Sequence, residues 1–514
     1  MKKIYTISLF CAICLSIGIN RVEAQTILEA GRYSRQTNMG SARATAMGGA
    51  FTALGGEVSG ITKNPAGVGV FRNTEITLTL NPTVSKSSSY ANFIENGFPN
   101  STTSKASRTS FQMDNLGLVL AFKISDDAPL RYFNVGIAYT NTNNFNLETN
   151  RLVPTSPTSM THVWAEQSAG IEPDYLNSLG GQLAYNTYLI NPNGDGGYFS
   201  VLDNSVDGTP VTDAVSQNEK VREKGYQGSY TVSLGANISD KWYVGLGISA
   251  QQLSYRHTSL YREAAALNAP SGLDYYDYHT WEHNDAVGAQ FSFGLIYRPT
   301  NAIRLGASIH TPTWWEVNYD ADAYIDAFYN NERDETIGRD GDWFSDTSPL
   351  TSYHYSMRTA WRADLGAAVV IGKRLIISAD AEYIAYSKAK YSESGDDFYN
   401  FEPLYGELNS SIRSTYASKW NYAVGAEFKL TRNFSLRYGY NLNATPYRNA
   451  EESDLKQHNC GIGWSKEWAM IDFSYSNCKY NNTTQFYNWG EYASIPVTNE
   501  YQRHIMKLTL GAKF

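Results

Sequence analysis

Strict two-residue alternation, repeated along most of the chain, constrains this sequence more than any other feature. Between Asp285 and Tyr297 the residues Val287, Ala289, Phe291, Phe293, Leu295 and Tyr297 share one face, while Gly288, Gln290, Ser292 and Gly294 share the other. A strand that is apolar on one side and small or polar on the other fits the wall of a barrel whose outside meets lipid. Fourteen such segments begin near Thr74, Ser110, Arg131, Gln227, Lys241, Asp285, Ala302, His354, Arg374, Trp420, Phe434, Lys456, Ala469 and Tyr501. The count is even, as a single-chain barrel with both ends on one side of a membrane requires.

The connections keep a rhythm of their own. Short turns fall at 125–130, 238–240, 299–301, Gly372-Lys373, 431–433 and 465–468. Between them lie long connections at 86–108, 142–225, 257–283, 316–352, 391–414, 443–455 and 481–499. Strict alternation of short and long suits short periplasmic turns and long external loops, and has no basis in a soluble sandwich. The last segment, IMKLTLGAKF, alternates through Met506, Leu508, Leu510 and Ala512 and stops on Phe514, an ending suited to recognition by the outer-membrane assembly machinery.

The remaining composition fits. Lys2 and Lys3 precede an apolar run from Ile4 to Ile19, and Val22-Glu23-Ala24 carries small residues where a signal peptidase cuts, so residues 1–24 read as a secretory signal. Beyond it no apolar stretch is long enough for a spanning helix, which leaves a closed barrel as the way to cross a membrane. A formal net charge of −8 offers no basic surplus for nucleic acid. Cys11 and Cys14 leave with the signal; Cys460 falls in phase with outward Ile462 and Trp464, and Cys478 with inward Asp472 and Ser474, so two free thiols are expected.

Fourteen strands enclose a lumen too wide for side chains alone to fill. The obvious filling is the stretch before the first strand, residues 25–73, rich in Gly and Ala and ending in KNPAGVGVF. Asn64-Pro65-Ala66-Gly67 reads as a turn in which Asn caps, Pro fixes φ and Gly supplies a positive φ. Gly48 and Gly49 upstream suggest close backbone packing.

The pieces GSARATAMGGAFTALGGEVSGITKNPAGVGVF, IRLGASIHTP from 303, AWRADLGAAVVI from 360, SADAEYIAYS from 378 and AVGAEFKLTRNFSLRYGY from 423 resemble the FadL-type family of outer-membrane transporters for long-chain fatty acids and other hydrophobic compounds. The resemblance implies an all-β, 14-stranded antiparallel transmembrane barrel over residues 74–514. It also implies an amino-terminal hatch gated by the Asn-Pro-Ala motif, and passive transport with lateral exit into the membrane. The external loops do not align.

Several other patterns invite chemistry. HTWEH, His279–His283, has the order of an inverted zinc-peptidase motif, but it lies in an acidic aromatic loop rather than on a helix, so an ordinary loop is the better reading, with adventitious metal or haem binding open. Gly245–Ala250 imitates a dinucleotide fingerprint without the strand-to-helix context. Asp380 and Glu382 share a face near Arg362 and Asp364; with Glu427, Arg437 and inward Arg304 they form an expected lumen charge network, since charges leaving bulk water are normally paired. Trp314, Trp315, Tyr319 and Phe328 are candidates for an apolar landing site, or for an interfacial aromatic belt.

The expectation is a non-enzymatic barrel in the outer membrane of a Gram-negative bacterium. It needs no cofactor or metal, acts as a monomer among outer-membrane lipids, and passes a hydrophobic ligand such as a fatty acid. A haem-capturing receptor or an adhesin mounted on the same barrel is the alternative, kept open by the long connection at 142–225.

Overall fold

The computed structural model describes residues 20–514 except 38–39, 96–97, 207–208, 213, 267–270, 331–341, 373, 393–401 and 450–451. Residues 1–19 of the expected signal, and Lys373 of one expected turn, lie outside the described residues. Fourteen antiparallel wall strands follow one another around the barrel: β1 Glu75–Glu95, β2 Phe98–Lys123, β3 Leu130–Asn144, β4 Val215–Ile238, β5 Trp242–Ala265 and β6 Leu273–Tyr297. Three strands are interrupted: β7 (Ile303–His310, then Trp314–Tyr329), β8 (Thr351–Arg358, then Arg362–Ile371) and β9 (Leu375–Ile384, then Lys390–Ser392). The wall ends with β10 Lys419–Lys429, β11 Phe434–Asn443, β12 Leu455–Ser465, β13 Ala469–Thr484 and β14 Val497–Lys513. β14 pairs with β1, from Lys513 opposite Glu75 to Val497 opposite Ala91, so the sheet closes.

The outward residues are those the alternation marks. Leu246, Ile248, Phe291, Phe293, Leu365, Val424, Ile462 and Leu510 are all exposed on the outer face. Among the described residues no helix is long and apolar enough to cross a membrane. A closed barrel with an apolar outer band pairs the wall's backbone groups strand to strand across the lipid and presents hydrocarbon to it, which places the chain in the outer membrane. At the short-turn end, Ser239 and Asp240 take positive φ of 56° and 57°, the two-residue turn whose twist matches the flanking strands.

The long connections differ from the sequence expectation. Residues 86–95 and 98–108 continue β1 and β2 rather than looping, and most of 257–283 continues β5 and β6. Above the lipid both strand faces are polar, as in Ser85, Lys86, Ser87, Ser88 and Ser89, so the apolar period stops where the membrane stops although the hydrogen-bonded ladder does not. HTWEH therefore lies within β6 and not in a loop. Its histidines share the outer face about 13 Å apart along the strand, with Glu282 on the other face, which removes the helical geometry a zinc peptidase needs. The connection at 142–225 also carries structure: the strand Leu147–Ser156 pairs with β4, and helices α3 (Met160–Ser168) and α4 (Gly181–Asn186) cover the mouth.

The amino-terminal segment fills the lumen. Helix α1 (Asn20–Ser34) stands in the upper barrel, against α5 (Glu402–Thr415) of an external connection, and short helix α2 (Ala42–Ala46) packs on β11 to β14 below it. Cys460 is exposed and Cys478 buried, and both are free thiols. In register Cys460 faces Tyr475 while Cys478 faces Gln457, three rungs away and on the other face.

Candidate functional site

The junction of hatch and wall is built around Asn64. Its backbone is extended (φ −138°), its Oδ1 accepts from Ala66 N at 3.0 Å, and Pro65 opens a 3-10 helix, Pro65–Val70. Such a cap satisfies a helix donor that would otherwise be orphaned, and proline is preorganised at the first position. The other end of the amide holds the hatch together and to the wall: Asn64 Nδ2 donates to Thr52 O at 2.6 Å and reaches the β6 and β7 carbonyls of Leu295 and Ala307 at 3.4 Å each. Gly67 does not supply a positive φ; it lies inside the 3-10 helix, and the left-handed positions are Gly40, Gly48, Gly49, Gly55 and Gly56 upstream. The wall makes room for this contact. A Cβ at Gly245 of β5 would overlap the Pro65–Ala66 backbone, and one at Gly439 of β11 would overlap Gly48 N.

Charges lock the hatch below the lumen. Lys63 Nζ lies 3.2 Å from Asp380 Oδ2 and 3.9 Å from Asp364 Oδ1, and Asp380 also accepts from Thr52 N at 2.9 Å and Thr52 Oγ1 at 2.7 Å. Burial works against the Lys63 charge, but Asp380 and Asp364 outweigh it and hold its pKa above the ordinary lysine value. On the other side Arg43 Nε and Arg437 Nε share Glu427 at 3.0 and 2.7 Å, and Arg437 reaches Asp472 at 2.5 Å. Arg362 pairs with Glu382 at 3.4 Å and bonds Gln36 of the hatch. Arg304 stands apart from these pairs, donating to Leu54 O at 2.5 Å. Its place at the lower rim of β7 offers it a hatch carbonyl, not a carboxylate.

Separate spaces descend through the barrel. Under α3 at the mouth is a pocket of about 410 Å³ with Met160, Trp281, Tyr319, Phe486 and Trp489 in its lining. Beside α1 lies a cavity of about 400 Å³ lined in part by Arg32, Arg35, Arg151, Arg503, Glu223 and Glu452. Directly above the hatch a space of about 100 Å³ touches Phe51, Lys63, Asp380 and Glu382. Helix α1 divides them. Its Tyr33 joins an aromatic core with Tyr255, Trp315, Tyr355 and Tyr416. Its buried Glu29 accepts from Tyr355 OH at 2.6 Å and Asn284 Nδ2 at 3.1 Å. Burial pushes the Glu29 carboxyl up to about 7, against the lowering pull of the Tyr355 bond and Arg32.

The wall itself is interrupted once beside the hatch. β2 and β3 pair from Lys123/Tyr132 only as far as Asn115/Thr140. There β3 bends inward: Asn141, Thr142 and Asn143 are buried in succession, the register with β4 shifts, and Thr142 O accepts from hatch Thr37 N at 3.1 Å. Among the described residues the separated edges are bridged by side chains: Asn141 Nδ2 donates to Gln112 Oε1 at 2.9 Å and to Asp114 Oδ1 at 3.3 Å, and Asn144 Nδ2 to Ser110 Oγ at 3.4 Å.

No protein family's sequence profile matches the chain, and no curated protein matches it by sequence. Solved structures do match in shape. A Pseudomonas aeruginosa FadL homologue superposes with a TM-score of 0.54 at 14% identity, covering 94% of this chain and 100% of its own. The chain has the FadL-type fold. The Pseudomonas putida toluene transporter TodX is also matched, at TM-score 0.49, 12% identity and coverage of 94% and 100%. The Ralstonia pickettii toluene transporter TbuX is matched at 0.46, 14%, 92% and 98%.

Within this FadL-type barrel the landing-site candidates separate. Trp315 and Tyr319 point into the lumen and are buried, whereas Trp314 lies on the outer face against Phe291 and Phe328 lies in the outward phase against Tyr275 and Trp343. Neighbouring strand residues point to opposite faces, so Trp314 and Trp315 cannot both face the lumen. Of the charge candidates, Asp364 and Asp380 converge on Lys63, Arg437 joins Arg43 on Glu427, and Arg362 and Glu382 pair with each other. The sequence reading missed Arg43, Lys63 and Glu29. Lys63 was adjacent to the motif, but its partners lie on strands that only the closed barrel brings near.

Proposed function

We propose that this protein passively transports hydrophobic compounds of the long-chain fatty acid type across the outer membrane, with residues 25–73 acting as the hatch. The observation that carries this reading is the loss of β2–β3 pairing above Thr140, next to the hatch segment at Thr37. A solute reaching that level meets side chains instead of a hydrogen-bonded ladder, and beyond them lies lipid. Exit there would return an apolar chain directly to hydrocarbon, favoured by about 0.8 kcal/mol per CH₂ buried.

The lumen supports an amphipathic cargo. The mouth pocket offers aromatic surface to an alkyl chain. The cavity beside α1 offers arginines to a carboxylate, and the Nε atoms of Arg151 and Arg503 are buried there without a hydrogen-bond partner among the described residues. Passage requires α1 and the hatch to shift. The solved neighbours of like shape include proteins described as toluene transporters, which fits an apolar solute in general.

The test is a reversible clamp across the interruption. In a Cys460→Ser background, Gln112→Cys and Asn141→Cys are joined by a short bifunctional thiol reagent with a reducible bridge. Labelled fatty acid uptake should fall at least tenfold when clamped and recover on reduction. Uptake unchanged by the clamp would refute exit at this point; no uptake difference between cells with and without the protein would refute the function.

A further inference from the structure

The outer face of β12, β13, β14 and β1 carries a row of lysines that transport does not explain. In the cross-strand register Lys456 stands opposite Lys479, Lys479 opposite Gln502, and Gln502 opposite Lys86. All three lysines are exposed. Like charges directly opposite on neighbouring strands destabilise a sheet. None of the three makes an ion pair among the described residues.

Their height is set by the strand. Lys86 lies eleven residues above Glu75, about 36 Å along β1 at 3.3 Å per residue, or about 28 Å along the membrane normal for a strand tilted about 40°. The apolar band of such a barrel is about 25 Å tall. The outward rungs record the same crossing. Phe473, Ile462 and Leu508 give way to Tyr475, Cys460 and Met506, then to Asn477, His458 and His504, then to the lysines. Tyr438 OH and Tyr475 OH meet the Nδ1 atoms of His458 and His504 at 2.9 and 2.7 Å. An aromatic and imidazole rung thus lies directly beneath an ammonium rung at headgroup level. On β6 and β7 across the barrel the exposed outward residues above the band include Asp285 and Glu316 instead, while Arg358 and Lys390, opposite each other on β8 and β9, form a separate and shorter basic pair.

We propose that this face docks the phosphate groups of lipid A, the phosphorylated glycolipid of the outer leaflet. Adjacent strands are about 4.8 Å apart, so Lys456 and Lys479 can share one phosphate, while Lys86, two strands further on, reaches a second. Charge-assisted bonds from ammonium to phosphate would relieve the opposed lysine pair. The rungs below present apolar and aromatic surface to the acyl chains of the same molecule. Phosphate at both ends of the headgroup and several acyl chains distinguish this ligand from a glycerophospholipid, which carries one phosphate and two chains.

The test uses the full-length barrel in detergent, incubated with lipid A, dephosphorylated lipid A or phosphatidylglycerol, and read by native mass spectrometry. Wild type should retain lipid A, and the triple variant Lys86→Gln, Lys456→Gln, Lys479→Gln should retain at least tenfold less, with heat-modifiable gel mobility unchanged. Lys390→Gln, on β9 three strands from Lys456 and opposite Arg358, should bind as wild type. Retention by the triple variant within twofold of wild type would overturn the site. Equal retention of dephosphorylated lipid A would overturn the role of phosphate, and equal retention of phosphatidylglycerol the assignment to lipid A.

Discussion

Lys63 of the hatch stands 3.2 Å from Asp380 of the wall, and the same ammonium faces Asp364 at 3.9 Å. Both carboxylates are buried, so removing the lysine leaves two charges without their cation. Breaking a buried pair from one side costs about 3–5 kcal/mol. Lys63→Met is expected to loosen the hatch while the barrel persists: limited proteolysis should cut between residues 40 and 72 several-fold faster, with heat-modifiable mobility retained. Asp380→Asn should do less, because Asp364 still faces the lysine.

Asn64 acts through both ends of its amide. Asn64→Asp keeps the acceptor that caps the 3-10 helix and loses the donor to Thr52, Leu295 and Ala307; Asn64→Ala loses both. A cap is worth about 1 kcal/mol. Hydrogen exchange at residues 64–70 should rise in both variants and rise more in Asn64→Ala. At Gly67 a Cβ meets only Gly55 Cα, at 3.2 Å. Gly67→Val should therefore displace the 3-10 helix and impair transport more than barrel assembly, read as labelled-solute uptake against the yield of folded protein.

Docking of α1 should weaken as pH rises. Burial raises the Glu29 carboxyl from its ordinary value of 4.5 to about 7 in the docked helix, so the docked state binds the proton more tightly. Its contribution is fully present below pH 4.5, declines between 4.5 and 7, and is flat above. The span corresponds to about 3 kcal/mol at 1.36 kcal/mol per pH unit. Proteolysis within residues 25–34 should be faster at pH 8 than at pH 5, and Glu29→Gln should abolish the difference.

The two adjacent tryptophans should respond in opposite ways. Trp315 is fully buried in the lumen core, and Trp315→Ala is expected to cost about 3–5 kcal/mol in thermal or denaturant unfolding. Trp314→Ala, on the outer face, should shift stability far less.

Thiol labelling checks the strand phase. An apolar maleimide should modify Cys460 on the folded barrel and leave Cys478 untouched, with two labels appearing only after unfolding.

The wall was legible in sequence wherever lipid imposes an apolar period. Each of the fourteen segments found by alternation coincides with a wall strand, and Glu427–Arg437 was readable because β10 and β11 are joined by a tight turn that fixes their register. The upper strands were illegible for the complementary reason: Ser87 and Lys86 face different sides, yet neither side there is hydrocarbon. The hatch contacts were hidden by topology. Nothing local to Lys63 names Asp380, and nothing in Trp314-Trp315 says which ring turns inward until a strand phase is fixed.

The length of the wall strands carries one more consequence. β4, β5 and β6 run for 24, 24 and 25 residues. At 3.3 Å per residue and a tilt of about 40°, that is roughly 60 Å of height, of which lipid occupies about 25 Å. Short turns leave little to protrude below, so the excess rises outward as a chimney. A molecule descending it crosses the surface sugars inside protein, and what it meets first, at the rim, is bulk water.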